Sequence, residues 1–530
     1  MTNSEKKFEF LFKKHSVEIV FSLLFITLAA ILNLQFLDGS NINTKIAGHD
    51  EYIAVKEVYS LLNPISWKHF ILSFIAGDVI YYGRIMFYID AFFSWLPFKV
   101  WGIEGMVYTT RMVHSVFLIL GLLILSNVFL KEKFHKALFL LGSGAIFYTL
   151  YFLMMPKPEP FQLFFLALFL YYFKQKNWSF GRHFILLGIA FGLKFNVLLI
   201  LPIIFVLPFL KKNTQILKQK IIYALKAFVY FLIGLIIAIP CLILSPLKPI
   251  YFRTYIHETF SGTGKSYDNL SITVFDWLKN GFGGYYTGHW IMGYIFLFVI
   301  IIALVLQLRK IKYNNDISAL LLLLFGLFLT FIIMFTTKRL WPHYLWTGFI
   351  FLYLGLIVFS AQQTSLKYRK VFFTIVSVFI SISLGFFLTR DLPLYLGFDK
   401  DPEIVKDYKE SKQAINYIKY KYPHSRVGTD ASLLCLFSDF VVAKPYHPFS
   451  IELPAPNQTI LMWYGDHPEE IWEEKNDLVV FYKRHPEVIN SETGTVRNEK
   501  QLKLFQEHIK SDFVRDTMFG DVRIYRRNIR

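Results

Sequence analysis

The sequence predicts a polytopic α-helical membrane protein of about eleven transmembrane helices with interfacial helices, followed by a small C-terminal extracytoplasmic α/β domain. Three observations predict it. Of 530 residues, 55% are hydrophobic and only 18% charged, with a mean hydropathy of +0.43. The apolar residues come in runs near or above the roughly 20 residues that cross a bilayer. From Asp391 onward the composition changes, with 20 Lys+Arg and 22 Asp+Glu, so the tail is nearly neutral. This composition excludes a disordered chain, a disulfide-stapled module and an ordinary soluble enzyme.

Residues 1–390 therefore hold 36 basic and 16 acidic side chains, a net +20 that the tail's −2 brings to +18 for the chain. A basic excess confined to the loops of a membrane domain marks cytoplasmic loops and not a nucleic-acid footprint, so no nucleic acid is expected as a partner. Cys241 lies in an apolar run and Cys435 in the tail, which implies no disulfide framework. The charged stretch 2–14 precedes an apolar run without a small-residue cleavage site, and this run is read as a retained anchor.

Apolar runs fall at 17–37, 107–130, 134–154, 161–173, 183–210, 221–245, 290–308, 317–336, 344–361 and 371–389. Lys194 interrupts the run 183–210, and a lysine at the bilayer centre costs roughly 2.5–3.5 kcal/mol. Splitting that run into two short spans with Lys194 at a surface brings the count to eleven. With the N-terminus inside, the inside loops then hold twenty Lys and Arg. The short outside loops hold four, namely Lys157, Lys194, Lys338 and Arg339. This is the positive-inside distribution, and a single span over 183–210 breaks it.

Two long segments face outside. The first, 38–106, contains apolar stretches around 70–82 and 85–101, read as helices lying in the interface or re-entrant. The second, 246–289, is rich in Gly, Tyr and His and is suited to gate a site. Residues 1–390 thus form the transmembrane domain and 391–530 the α/β domain. In the latter, 401–422 has a helix pattern with Pro402 early and Pro423 ending it. Strands are predicted at 426–429, 459–464, 477–482, 513–519 and 521–526, with a helix at 498–509, and Gly520-Asp521 makes the last two strands a hairpin.

Acidic residues are scarce in the membrane part, and several stand at outside turns. Gly48-His49-Asp50-Glu51-Tyr52 follows the first span. Met155-Pro156-Lys157-Pro158-Glu159-Pro160 joins the third and fourth, and Gly192-Leu193-Lys194-Phe195 the fifth and sixth. Lys338-Arg339-Leu340-Trp341-Pro342-His343-Tyr344 joins the ninth and tenth. Carboxylates and cations remote in sequence are thereby collected on one membrane face.

The pair Asp50-Glu51 after the first span resembles the signature of the GT-C superfamily of membrane glycosyltransferases, closest to the branch of protein O-mannosyltransferases and lipid A aminoarabinose transferases. Further matching pieces are Tyr81-Tyr82-Gly83-Arg84 with Phe87-Tyr88, Gly102-Ile103-Glu104 followed by Arg111, Glu159, the short paired spans around Lys194, and the basic turn Lys338–Tyr344. The resemblance covers about 15–390. The chain departs from the pattern in having Glu159 between two prolines where Asp is commoner, and Lys-Phe-Asn where Lys-Gly-Pro is usual.

The resemblance implies a sugar donor linked to a polyprenyl phosphate, transferred with inversion to a glycan, lipid or protein acceptor at the extracytoplasmic face of a bilayer. It implies catalytic roles for Asp50 as base and for Glu51 and Glu159. It implies donor-phosphate contacts from Lys338, Arg339, His343, Lys194 and Lys157. It leaves open whether a divalent metal, Mg or Mn, joins Asp50 and Glu159. The expected location is a bacterial plasma membrane, with the N-terminus cytoplasmic. Blander readings stand beside these. Glu159 caps a helix N-terminus well, Lys338 and Arg339 suit lipid headgroups, and Asp50-Glu51 suits a solvated loop. Asp78 and Asp90 are read as structural partners of Arg84. Two other functions remain. A lipid-linked sugar transporter or flippase expects charges near the midplane and repeated halves, and a non-catalytic scaffold tolerates a neutral residue at Asp50.

Overall fold

The architecture is that of a computed structural model of the whole chain. It describes residues 15–37, 49–75, 83–210, 217–244, 284–310, 316–332 and 342–396. In the C-terminal part it describes 409–422, 426–430, 441–442, 459–463, 478–482 and 511–528, apart from a few single positions.

The first long helix is α1 (Ser16–Leu37), whose outward residues, such as Leu23 and Leu24, are apolar and exposed. Two short helices, α2 (His49–Leu62) and α3 (Trp67–Ile75), lead into α4 (Arg84–Phe129). Helix α4 is a hairpin. Gly102 has φ +66° and ψ −148°, a backbone conformation that a Cβ resists, and the chain doubles back there. Ser94 Oγ lies 3.2 Å from Thr110 Oγ1, and Asp90 Oδ2 lies 2.9 Å from His114 Nε2. Numbers fall along one arm as they rise along the other, so the arms are antiparallel and still touch about 18 Å from the hinge. The stretch expected to lie in the interface or re-enter is thus the first arm of this hairpin. It packs on the second span and leaves Phe92, Trp95 and Trp101 exposed.

Helices α5 (Lys133–Gly144) and α6 (Phe147–Met154) meet at a bend of 71°. At the bend Thr149 Oγ1 donates to the Ser143 carbonyl at 2.6 Å, and Trp346 Nε1 donates to Thr149 Oγ1 at 3.0 Å. A backbone acceptor freed by the break is thereby satisfied inside the core. Helix α7 (Pro158–Gln175) starts with Pro158 and Glu159 in its first turn, a placement both residues favour.

The run broken by Lys194 folds as α8 (Phe184–Leu193), a 3-10 turn (Phe195–Leu199) and α9 (Leu201–Leu210). Ring contacts pair Phe184 with Phe205 at 5.2 Å and Phe180 with Phe209 at 5.3 Å. The two limbs therefore run antiparallel, and the chain reverses around Lys194. Helix α10 (Leu217–Ala238) lies against α8 in backbone contact. A Cβ on Gly188 would stand 2.0 Å from the Phe231 carbonyl, and one on Gly234 2.0 Å from that of Ile185. Only glycine fits at such a crossing.

Helices α11 (Trp290–Lys310), α12 (Ser318–Leu327), α13 (Trp346–Ala361) and α14 (Leu366–Phe386) complete the bundle. Helix α13 is the central one, buried over nearly its whole length. Helix α14 runs on through a π turn into α15 (Leu392–Leu396), past the predicted end at Thr389. Among the described residues six helices are long and apolar enough to cross a membrane, or seven if α5 and α6 are one span. Length and composition thus give fewer spans than the eleven expected. The shortfall lies in α7, whose ends are polar, and in the short apolar helices α8, α9 and α12.

Loops predicted to share one side meet at one end of the bundle. Lys136 Nζ lies 2.5 Å from Glu18 Oε1, Arg369 Nη2 lies 2.9 Å from Glu132 Oε1, and Lys174 Nζ donates to the Val128 carbonyl at 2.9 Å.

The C-terminal strands form one mixed six-stranded sheet. These are β1 (Arg426–Asp430), β2 (Val441–Val442), β3 (Thr459–Trp463), β4 (Leu478–Tyr482), β5 (Phe513–Phe519) and β6 (Val522–Arg527), in the order β2-β3-β1-β4-β6-β5. Strands β2, β3, β1 and β4 are mutually parallel, while β6 is antiparallel to both neighbours. Gly520, at φ +55°, turns the final hairpin. The predicted helix at 498–509 and Cys435 lie outside the described residues.

Candidate active site

The site is assembled where α7 begins and α8 ends. Pro156, Pro158 and Pro160 stiffen the turn into α7 and hold Lys157 and Glu159 inward, each 2% exposed. The Glu159 carboxylate forms an ion pair with Lys194 Nζ. Its second oxygen, Oε2, is buried without a hydrogen-bond partner among the described residues. Lys194 terminates α8 in an extended conformation, and its ammonium stands 4.1 Å from the centre of the Tyr344 ring. Gln162, one helical turn beyond Glu159 and fully buried, fixes the same corner. Its Nε2 donates to the Lys194 carbonyl at 2.8 Å and to Asn196 Oδ1 at 2.7 Å, with Ala190 O at 3.3 Å.

His343 enters from the turn before α13. Its ring lies 4.4 Å from Tyr344, 5.9 Å from Tyr151 and 6.1 Å from Tyr148. It stands within electrostatic range of both Lys157 and Lys194, and Tyr286 within range of Glu159. Three turns remote in sequence thus bring Lys157, Glu159, Lys194 and His343 to one corner. Two lysine ammonium groups, one carboxylate and an imidazole thus share the corner. At an effective dielectric near 20, a cation about 4 Å from an anion contributes roughly 4 kcal/mol.

Lys338 and Arg339 lie outside the described residues. Asp50 and Glu51 fall in the first turn of α2, and their side chains are likewise outside the description. Below them on the same helix, Glu57 is buried and pairs with Arg84, which also donates to the Ser73 carbonyl. This corrects the expectation for Arg84, whose described acidic partner is Glu57. Asp78 is outside the described residues, and Asp90 pairs with His114. Both members of that pair are 0% exposed, and His114 Nδ1 donates to the Lys157 carbonyl at 2.8 Å. Burial pushes the Asp90 carboxyl above the ordinary carboxylate range.

Gln162, Asp90 and His114 were not among the residues singled out for the site. Their signal in the sequence is a polar side chain within or beside an apolar run, which costs free energy unless it is hydrogen-bonded. As for a divalent metal, the Glu159 carboxylate faces a lysine ammonium. Among the described residues no three His, Cys, Asp or Glu side chains converge on a common point. The described donors around Glu159 do not fit such an ion.

No family model matches the sequence, and no curated protein matches it. Among solved structures, ArnT from Cupriavidus metallidurans bound to undecaprenyl phosphate superposes with a TM-score of 0.53 at 11% identity, over 95% of this chain and 97% of that one. The fold is shared with ArnT. It is the fold that the GT-C resemblance of the sequence led one to expect. ArnT from the same organism in the apo state gives 0.45 at 11% identity, over 95% and 97%. The Archaeoglobus fulgidus oligosaccharyltransferase in the apo form gives 0.41 at 11% identity, over 79% of this chain and 63% of that one.

Proposed function

We propose that the chain is an inverting membrane glycosyltransferase that takes a sugar from a polyprenyl-phosphate donor and passes it to a hydroxyl of a glycan, lipid or protein acceptor. The observation that carries this reading is the gathering of Lys157, Lys194 and His343 around the buried Glu159. The fold shared with a protein that binds undecaprenyl phosphate supports it.

In this mechanism the acceptor oxygen attacks the anomeric carbon as the bond from that carbon to the phosphate oxygen breaks. The hydroxyl proton passes to the Asp50 carboxylate, and polyprenyl phosphate departs with added negative charge. Lys157 and Lys194, with His343, Lys338 and Arg339, stabilise that charge as it develops. Glu159 orients Lys194 through the ion pair and offers Oε2 to a hydroxyl. Glu51 supports Asp50 from the next position.

The same reading makes eleven crossings of the apolar helices, counting α7, α8, α9 and α12 as spans. The N-terminus then lies in the cytoplasm of a bacterium, and the site and residues 391–530 lie outside, the latter as a separate domain. The reversal at Lys194 supports this count, since it lets the lysine stay at the outer end of two short limbs.

The test is binding of undecaprenyl phosphate to the purified full chain in nanodiscs, together with mass spectrometry of envelope glycans from a deletion strain. We expect saturable binding that Lys157→Ala weakens about 10-fold or more, and loss of one glycan modification. Absence of binding by the wild-type chain refutes the proposal.

A further inference from the structure

The buried pair Asp90 and His114 has no part in the chemistry above, yet it touches the site's own backbone. The Lys157 carbonyl can only accept, so the Nδ1 position of His114 carries the hydrogen of that 2.8 Å contact. The Nε2 position and Asp90 Oδ2, 2.9 Å apart, then share one proton, either as imidazolium and carboxylate or as imidazole and carboxylic acid. In both forms the ring is held at its two nitrogens and cannot turn. The Phe161 ring packs edge-on against it at 4.7 Å, which closes off the third direction. Asp90 and His114 come from opposite arms of the Gly102 hairpin. The chain of contacts therefore runs from the first arm through the second to the turn that carries Lys157 and, two residues on, Glu159.

We propose that Asp90 and His114 are positioning residues, which set the Lys157–Glu159 turn so that Lys157 and the Glu159–Lys194 pair meet the donor phosphate in register. This rests on the reading of that corner as the phosphate site. Three turns can converge on one anion only if each backbone is fixed, and the described contacts supply one device for each lysine. Gln162 clamps the Lys194 carbonyl, and His114 clamps the Lys157 carbonyl. Outer partners of this kind typically change affinity by about 10–100-fold when lost.

The experiment compares undecaprenyl phosphate binding by the full chain in nanodiscs across three variants. The double variant Asp90→Leu/His114→Phe replaces both members of the pair by apolar groups of similar shape and strands only the Lys157 carbonyl. We expect its thermal midpoint to fall no further than that of Gln162→Leu, which strands backbone carbonyls in the same way, while its affinity falls about 10-fold. The variant Asp90→Asn offers an amide N–H to the Nε2 position and is expected to bind within roughly threefold of wild type. The reference Lys157→Ala reports on the phosphate site itself. If Lys157→Ala binds weakly and the double variant binds as tightly as wild type, the positioning role is overturned while the phosphate site stands. If Lys157→Ala also binds like wild type, the phosphate reading fails and this inference falls with it. Should the double variant not fold, Asp90→Ala carries the same expectation against the Asp90→Asn rescue.

Discussion

Glu159 and Lys194, 35 residues apart, form one ion pair in which the carboxylate is 2% exposed and the ammonium side chain 14%. The pair joins the start of α7 to the end of α8. It explains how an apolar run tolerates a lysine, because the charge that interrupts the run is neutralised by another turn.

Removing one partner leaves a buried charge uncompensated. Lys194→Met is expected to destabilise the protein by about 3–5 kcal/mol, read as a lower thermal midpoint in detergent. The double variant Glu159→Gln/Lys194→Met should recover most of that loss. A midpoint unchanged in Lys194→Met shows that water already reaches the carboxylate.

Gln162→Leu keeps the side-chain size but withdraws the donor shared by Lys194 O, Asn196 Oδ1 and Ala190 O. We expect a stability loss of about 1–3 kcal/mol from the stranded acceptors. Affinity for undecaprenyl phosphate should also fall about 10-fold as the Lys194 corner loosens. A thermal melt and a binding isotherm separate the two effects, and unchanged affinity argues that the ion pair alone holds Lys194.

Asp50→Asn removes the proposed base while keeping its size. Transfer should fall by roughly 10²–10⁴-fold, with undecaprenyl phosphate binding unchanged. The measurement is transfer by membranes with matched protein levels. Full activity in this variant dismisses Asp50 as the base.

In the C-terminal sheet, the Asp516 carboxylate accepts from Tyr417 at 2.6 Å and pairs with Lys421 at 3.2 Å. Partial burial raises its pKa, but these bonds outweigh that and hold it below the ordinary carboxylate value. A depressed folded-state pKa means that the stabilisation is present above the unfolded value of about 3.9 and is lost as pH falls through the folded value. The protection of β5 and β6 amides in the intact chain, taken relative to the unfolded-chain exchange rate at each pH, should therefore fall on acidification in that range, and less so in Asp516→Asn. Equal loss of protection in both assigns the effect to other groups.

Much of this arrangement was legible in the sequence because it follows from costs that leave a trace. A lysine inside an apolar run marked the reversal at residue 194, and alternating patterns bounded by turn residues marked five of the six strands. What stayed hidden has no local trace. The two-residue strand β2 exists only by pairing with β3. Gly102 is one glycine among 29, and only its positive φ reveals the hinge. Arg84 has acids on both sides in sequence, and the choice of Glu57 over Asp90 depends on how the hairpin folds. Gln162 and His114 look like isolated polar residues until the backbone carbonyls they serve come into view.

The antiparallel limbs α8 and α9 have 10 residues each. Each spans about 15 Å, half of a hydrocarbon layer about 30 Å deep. Under the proposed function they cross the bilayer, and lipids would relieve the resulting hydrophobic mismatch by thinning around this flank. A prenyl-linked donor would then meet a shortened path to Lys194. Reconstitution into lipids of increasing acyl length should accordingly slow the proposed transfer, which makes bilayer thickness a regulator of it.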